Sequence, residues 1–127
     1  MSDANDRSVE ELTRAVVRAY ELIRKITRRL PIPVILPGGP LYDADTINPA
    51  VARASVIIQD LPMDDEIRSD LWGACLHWLS ASKVLMWLIN HPDDPTATAE
   101  IMLLLIAATD AAVDAGAALA ERGELDE

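Results

Sequence analysis

The stretch Pro31-Ile-Pro-Val-Ile-Leu-Pro-Gly-Gly-Pro40 sets four prolines, two glycines and four large aliphatic residues between long runs of helical periodicity. Each proline lacks a backbone N–H and fixes φ, so the stretch can be neither a helix interior nor a central strand. It is predicted to run extended or as polyproline, with a turn at Gly38-Gly39. Its apolar residues Ile32, Val34, Ile35 and Leu36, with Leu41 beyond, predict a strap buried across helix ends rather than a solvated linker. Proline stiffness lowers the entropy lost in ordering it.

Around this connector the periodicity is helical. Val9, Leu12, Val16, Ala19, Ile23, Ile26 and Leu30 recur at alternating spacings of three and four, the seam of a helix packed lengthwise on near-parallel neighbours. Ser8-Val-Glu-Glu11 reads as a capping box that opens this helix. Pro31 closes it, because the residue before a proline is pushed out of the helical region. Asn48-Pro49 reads as an N-cap followed by a first helical residue, which makes 31–48 the connector and starts a short helix over about 49–60. Val51, Ala54, Ile57, Ile58 and Leu61 are expected inward there, with Arg53, Ser55 and Gln59 outward. Asp64 or Asp65 caps a third helix over roughly 65–90, whose seam is Ile67, Leu71, Ala74, Trp78, Ala81, Leu85 and Leu88. Asp94-Pro95 opens a fourth helix ending near residue 122. Its inward seam is Ala97, Ile101, Leu104, Ala108, Ala111, Ala115 and Ala118, flanked by Met102, Leu105, Ala112, Gly116 and Leu119, and Gly123 is the expected terminator. The expected fold is therefore all-α and four-helix bundle-like, three helices long and one short, with a proline-rich crossover connector between helices one and two. Residues 1–7 are expected as a disordered tail, 8–123 as a single domain and 124–127 as a frayed end.

Composition restricts the function classes. A chain of 127 residues with 50% hydrophobic content and a formal charge of −10 reads as one soluble globular domain. Charge is unevenly placed: residues 1–30 carry net +2 and residues 31–127 net −12. An acidic surface repels phosphate backbones, so nucleic-acid binding is not expected, and Arg24, Lys25, Arg28 and Arg29 read as cations complementing a helix carboxyl end. The longest apolar run, Ile101 to Ala108, falls short of the ~20 residues of a membrane crossing. With no secretory signal pattern at the amino terminus, the expected compartment is the cytoplasm. Cys75 is the single cysteine, which leaves neither an internal disulfide nor a thiolate cluster for zinc.

Candidate chemistry is sparse. Asp110 and Asp114 lie one helical turn apart, as on a solvated acidic face, and the Glu-x-x-His pairs of a di-metal bundle do not occur. His77 and Asp70 are seven residues apart, about 10 Å along a helix and too far for a direct hydrogen bond. Cys75 and His77 cannot share a helix face. No phosphate-binding, nucleophile-elbow or zinc-protease motif occurs. No cofactor or metal is expected.

What remains is surface. From Val84 to Ile89 the third helix is apolar all round, and a helix with no wet side is enclosed by neighbours or meets another chain. The expected function is thus non-enzymatic protein–protein association, as a homodimer or with a regulatory or adaptor partner, through Trp87, Val84, Trp72 and Leu88. One alternative is a small-molecule site or enzyme lidded by the 31–48 connector, with Tyr42, Asp43, Asp45 and His77 as polar contacts. A further alternative is an acidic decoy for a basic protein surface.

Overall fold

The structure, a computed structural model, describes residues 2–38 and 43–121, with residues 2–8 described for their backbone alone. The described residues form four helices: α1 (Ser2–Arg28), α2 (Ala44–Gln59), α3 (Asp65–Asn90) and α4 (Pro95–Glu121). No strand occurs among the described residues. The fold is all-α and bundle-like, as the seams predict.

The seams of α1 and α3 fill the core. Every residue of the α3 seam is buried, and so is the α1 seam apart from half-buried Val9. Trp78 lies at the centre, fully buried, its indole Nε1 donating to the Val16 carbonyl at 2.9 Å and its ring 5.3 Å from that of Tyr20. With no phenylalanine in the chain, this tryptophan is the largest core filler, and it finds the partner a buried indole needs.

α3 packs against each of the other helices, α1 packs also on α4, and α2 packs on α3 alone. The carboxyl ends of α1, α2 and α4 meet, since Leu30, Leu61 and Leu119 line one small cavity. Three helices therefore run the same way, and α3 runs against them.

This arrangement requires the chain to return from the end of α1 to its beginning before α2 starts. The proline-rich connector makes that return along α1 itself. The Val34 N–H donates to the Thr27 carbonyl at 3.0 Å, Arg24 Nε donates to the Leu36 carbonyl at 3.3 Å, and the Tyr20 hydroxyl donates to the Pro37 carbonyl. Each step forward in the connector meets an earlier residue of α1. Extended backbone alternates its side chains, so Val34 and Leu36 are buried while Ile35, at 71% exposure, and Ile32 face outward. The strap is real for two of the four described residues predicted to be buried; Leu41 and the turn at Gly38-Gly39 fall on or against residues outside the described ones. Gly38 passes so close to the Arg24 guanidinium that a Cβ there would displace it. On its other side the strap faces α2 across Thr46, Ala50, Arg53 and Ile57. It stands where a direct α1–α2 contact would otherwise form.

Two helix starts differ from expectation. α1 is helical from Ser2, so residues 2–7 are not a disordered tail in the backbone described and Ser8-Val-Glu-Glu11 lies inside the helix rather than capping it. α2 begins at Ala44, capped by Asp43, whose carboxylate accepts from the Asp45 N–H at 3.1 Å and the Thr46 hydroxyl at 2.9 Å. Pro49 then sits inside α2. Its missing N–H deprives only the Asp45 carbonyl, on an exposed turn that water can reach. Asn48, expected as the cap, instead accepts from the buried Ser82 hydroxyl at 2.8 Å and so ties α2 to α3. Within α2, Ile57 is exposed and Ser55 buried, the reverse of expectation, because Ser55 returns its hydroxyl to the Ala52 carbonyl at 2.7 Å and needs no water. The other junctions follow the sequence: Asp64 caps α3, and Asp94 caps α4 by accepting from the Thr96 and Ala97 N–H groups at 2.9 and 3.2 Å. Gly123 and residues 124–127 lie outside the described residues.

Candidate functional site

α4 is apolar over a wider arc than its neighbours cover. Ala97, Ile101, Leu105, Ala108, Ala112, Ala115 and Leu119 are buried against the rest of the bundle. Adjacent on the helix, Met102, Leu103, Ile106 and Val113 are exposed, Leu103 at 69% and Ile106 at 54%. The reason lies in the position of α2. Because it packs on α3 alone, no helix lies across the outer faces of α1 and α4.

The result is a groove of about 640 Å³ between α1 and α4. Its floor is Leu12, Ala19 and Leu105, and its walls carry Ala15 and Leu22 on one side and Met102 and Ile106 on the other. Glu11, Arg18 and Asp110 stand at the rim. The small residues let the helices approach: a Cβ added at Gly116 would lie 3.3 Å from Ile26 Cδ1. Neither Arg18 nor Asp110 has an ion-pair partner among the described residues.

The carboxyl end of α3 is the second apolar exposure. Leu85 and Leu88 are buried, Val84 is half-buried, and Met86, Trp87 and Ile89 are exposed. Met86 and Ile89 continue the face that α2 covers further down, beyond the point where α2 begins. Trp87, 51% exposed, is held within its own chain: its ring stacks on His91 with centroids 3.5 Å apart, and its Nε1 donates to Asp94 Oδ2 at 3.0 Å. Those bonds to Asp94 from Thr96 and Trp87 lower its carboxyl pKa from 3.8 to about 2. Trp87 thereby clasps the α3–α4 turn.

The residues predicted as a site do not converge. Leu88, at 3% exposure, belongs to the core of the protomer and is removed from any surface patch, because the α3 seam runs unbroken to that position. Trp72 is exposed on α3, fifteen positions before Trp87 and on another part of the helix. Among the proposed ligand contacts, Asp43 is occupied as the α2 cap, Asp45 is exposed in the next turn, and Tyr42 lies outside the described residues. His77 is exposed with Nδ1 2.8 Å from the Gly73 carbonyl. None of Asp43, Asp45 and His77 lines a cavity described here, and the connector is tied along α1 as a strap.

Besides Asp94, two titratable groups are strongly perturbed, both by burial. The Cys75 thiol is pushed up to about 12, which leaves it a small apolar core group rather than a nucleophile. Tyr20 is likewise raised to about 12 by burial, partly offset by Arg24. Among the described residues no three of His, Cys, Asp and Glu gather closely enough to hold a metal ion.

Met102, Leu103, Ile106, Val113 and Arg18 are not singled out as a site by the sequence, which places Met102 beside the inward seam and Asp110 on a solvated acidic face. The signal available was the width of the apolar arc on α4. By length and composition α4 is in fact apolar enough to cross a bilayer, beyond what the short run at Ile101 suggested. A core helix passes the same test.

No protein-family model matches this chain, and neither a curated protein nor a solved structure matches it.

Proposed function

We propose that this chain is a non-enzymatic, cytoplasmic protein that works by association with another protein surface, its own included, through the groove between α1 and α4. The observation that carries the reading is the row of large apolar side chains left uncovered on α4 beside that groove. An exposed apolar patch rimmed by charge marks an interaction site far more often than it marks idle surface. Met86 and Ile89, with Val84 and the clasped Trp87, add a smaller apolar surface at the end of α3. The test is affinity capture from the native host alongside sedimentation of the pure chain, each repeated with Ile106→Asp. Loss of a captured partner or of self-association in the variant supports the reading, and a monomer that captures nothing overturns it.

A second reading has one observation in its favour. The groove volume of about 640 Å³ falls in the range of small-ligand sites, and its mostly apolar lining with a few polar groups suits an apolar ligand. Thermal shifts separate the two: a ligand raises Tm at fixed protein concentration, whereas association makes Tm rise with protein concentration.

A further inference from the structure

We infer that the occupant of the α1/α4 groove is a second copy of this chain, docked about a twofold axis parallel to the helices, so that α1 of each copy lies over α4 of the other. The inference rests on the association reading and adds to it the partner and the geometry.

Charge selects this arrangement. Over the described side chains α1 carries Arg14, Arg18, Arg24, Lys25 and Arg28 against three glutamates, whereas α4 carries Glu100, Asp110, Asp114 and Glu121 and no basic residue. Along the groove itself the charged residues are Glu11 and Arg18 on the α1 wall and Asp110 on the α4 wall, and Arg18 and Asp110 are opposite in sign. Two copies can meet face to face about a twofold axis lying in the contact plane, directed either across the helices or along them. An axis across the helices sets α1 on α1 and α4 on α4, which keeps Arg18 of one copy away from Asp110 of the other. An axis along them brings Arg18 of each copy over the α4 wall that carries the other's Asp110, and the contact stays isologous and closed.

The heights also match. Ile26 and Gly116 touch, which fixes the register of α1 against α4. At 1.5 Å per residue, Arg18 lies about 12 Å below Ile26 and Asp110 about 9 Å below Gly116. An axis parallel to the helices preserves height, so Arg18 of one copy meets Asp110 of the other to within about 3 Å of level. Two such ion pairs would flank Met102 and Ile106 as these enter the partner's groove beside Ala15 and Ala19. A lipid surface fits less well, because Arg18, Asp110 and Asp114 would enter it with the apolar residues.

The experiment is sedimentation equilibrium of the full chain from low to high micromolar concentration, with circular dichroism to verify folding of each variant. Self-association is expected, weakened about tenfold or more by Arg18→Asp and by Asp110→Arg, and abolished by Ile106→Asp. Mixing the Arg18→Asp and Asp110→Arg chains should restore it, since both cross-pairs in the mixed dimer are then complementary. A dimer indifferent to all three variants overturns both the inference and the groove reading, whereas one weakened by Ile106→Asp alone overturns the inference and leaves the association reading standing. The same holds if the chain is monomeric but captures another protein through an Ile106-dependent contact. A monomer that instead binds neutral phosphatidylcholine vesicles, or binds nothing, overturns both.

Discussion

The strap and the α1/α4 groove are both apolar surfaces laid along α1, yet one is closed and the other open. Along the strap, Val34 and Leu36 are buried, and the backbone is bonded through Thr27, Arg24 and Tyr20. Along the groove, Met102 and Ile106 have comparable hydrophobicity and nothing over them. What separates the two is the supply of backbone hydrogen bonds. An extended segment can be buried only if its polar groups find partners, and three residues of α1 offer them. A helix face needs none, since its backbone is already satisfied, so it can be left open until a partner arrives. Apolar residues on the closed side should therefore answer to stability measurements, and those on the open side to association measurements.

The largest expected effect tests that division directly. Leu36→Ala should cost about 2–5 kcal/mol in denaturant unfolding, the range for a buried leucine, with the mixed loss of strap and α2 packing. Ile106→Ser, on the open side, should change monomer stability by less than about 0.5 kcal/mol while altering concentration dependence. Equal losses of stability for both would erase the distinction.

Next in size, Tyr20→Phe removes the hydroxyl that donates to Pro37 and should cost about 1 kcal/mol. The wild type should also show an alkaline signature. Because the folded pKa of Tyr20 is raised from 10 to about 12, its contribution is present below pH 10 and is lost as pH climbs towards 12. Unfolding titrations should find that limb shallower in Tyr20→Phe.

The smallest effect sits at the α3–α4 turn. Asp94 has a depressed pKa, so the stability it contributes is present above pH 3.8 and lost as pH falls through about 2. Asp94→Ala should melt lower than wild type at neutral pH, the gap narrowing across that acid window. A gap constant with pH would mean that the cap and the Trp87 clasp do not depend on the carboxylate charge.

The same contrast shows why some of the molecule is legible in the sequence and some is not. The α3 seam from Ile67 to Leu88 is readable because α3 is surrounded, and one stripe of apolar residues answers to one continuous core. α4 is less readable: Leu105 and Met102 look alike in the sequence, yet one is buried and the other is not. Which of them is covered depends on where α2 packs, a long-range fact with no local signal. The start of α2 was obscured by a rule that usually serves well. Asn48-Pro49 has the form of a helix opening, but Asp43, five residues upstream of Asn48, is the cap, accepting from the Asp45 N–H and the Thr46 hydroxyl. Val34 and Leu36 were legible as buried from composition, whereas the outward turn of Ile32 and Ile35 follows from alternation in an extended backbone and needed the strap's direction to be known.

The return path of the strap also bears on how the protein emerges during synthesis. Its bonds to Thr27, Arg24 and Tyr20 join residues between seven and seventeen positions apart, whereas the α1 contacts to α3 and α4 span most of the chain. A nascent chain that has exposed α1 and the connector, but not yet α3, can already fold the connector back on α1 and shield Val34 and Leu36. Helix α1 and its strap would then wait for α3 as a preassembled hairpin, presenting the ribosome exit with a partly covered helix rather than a bare amphipathic one.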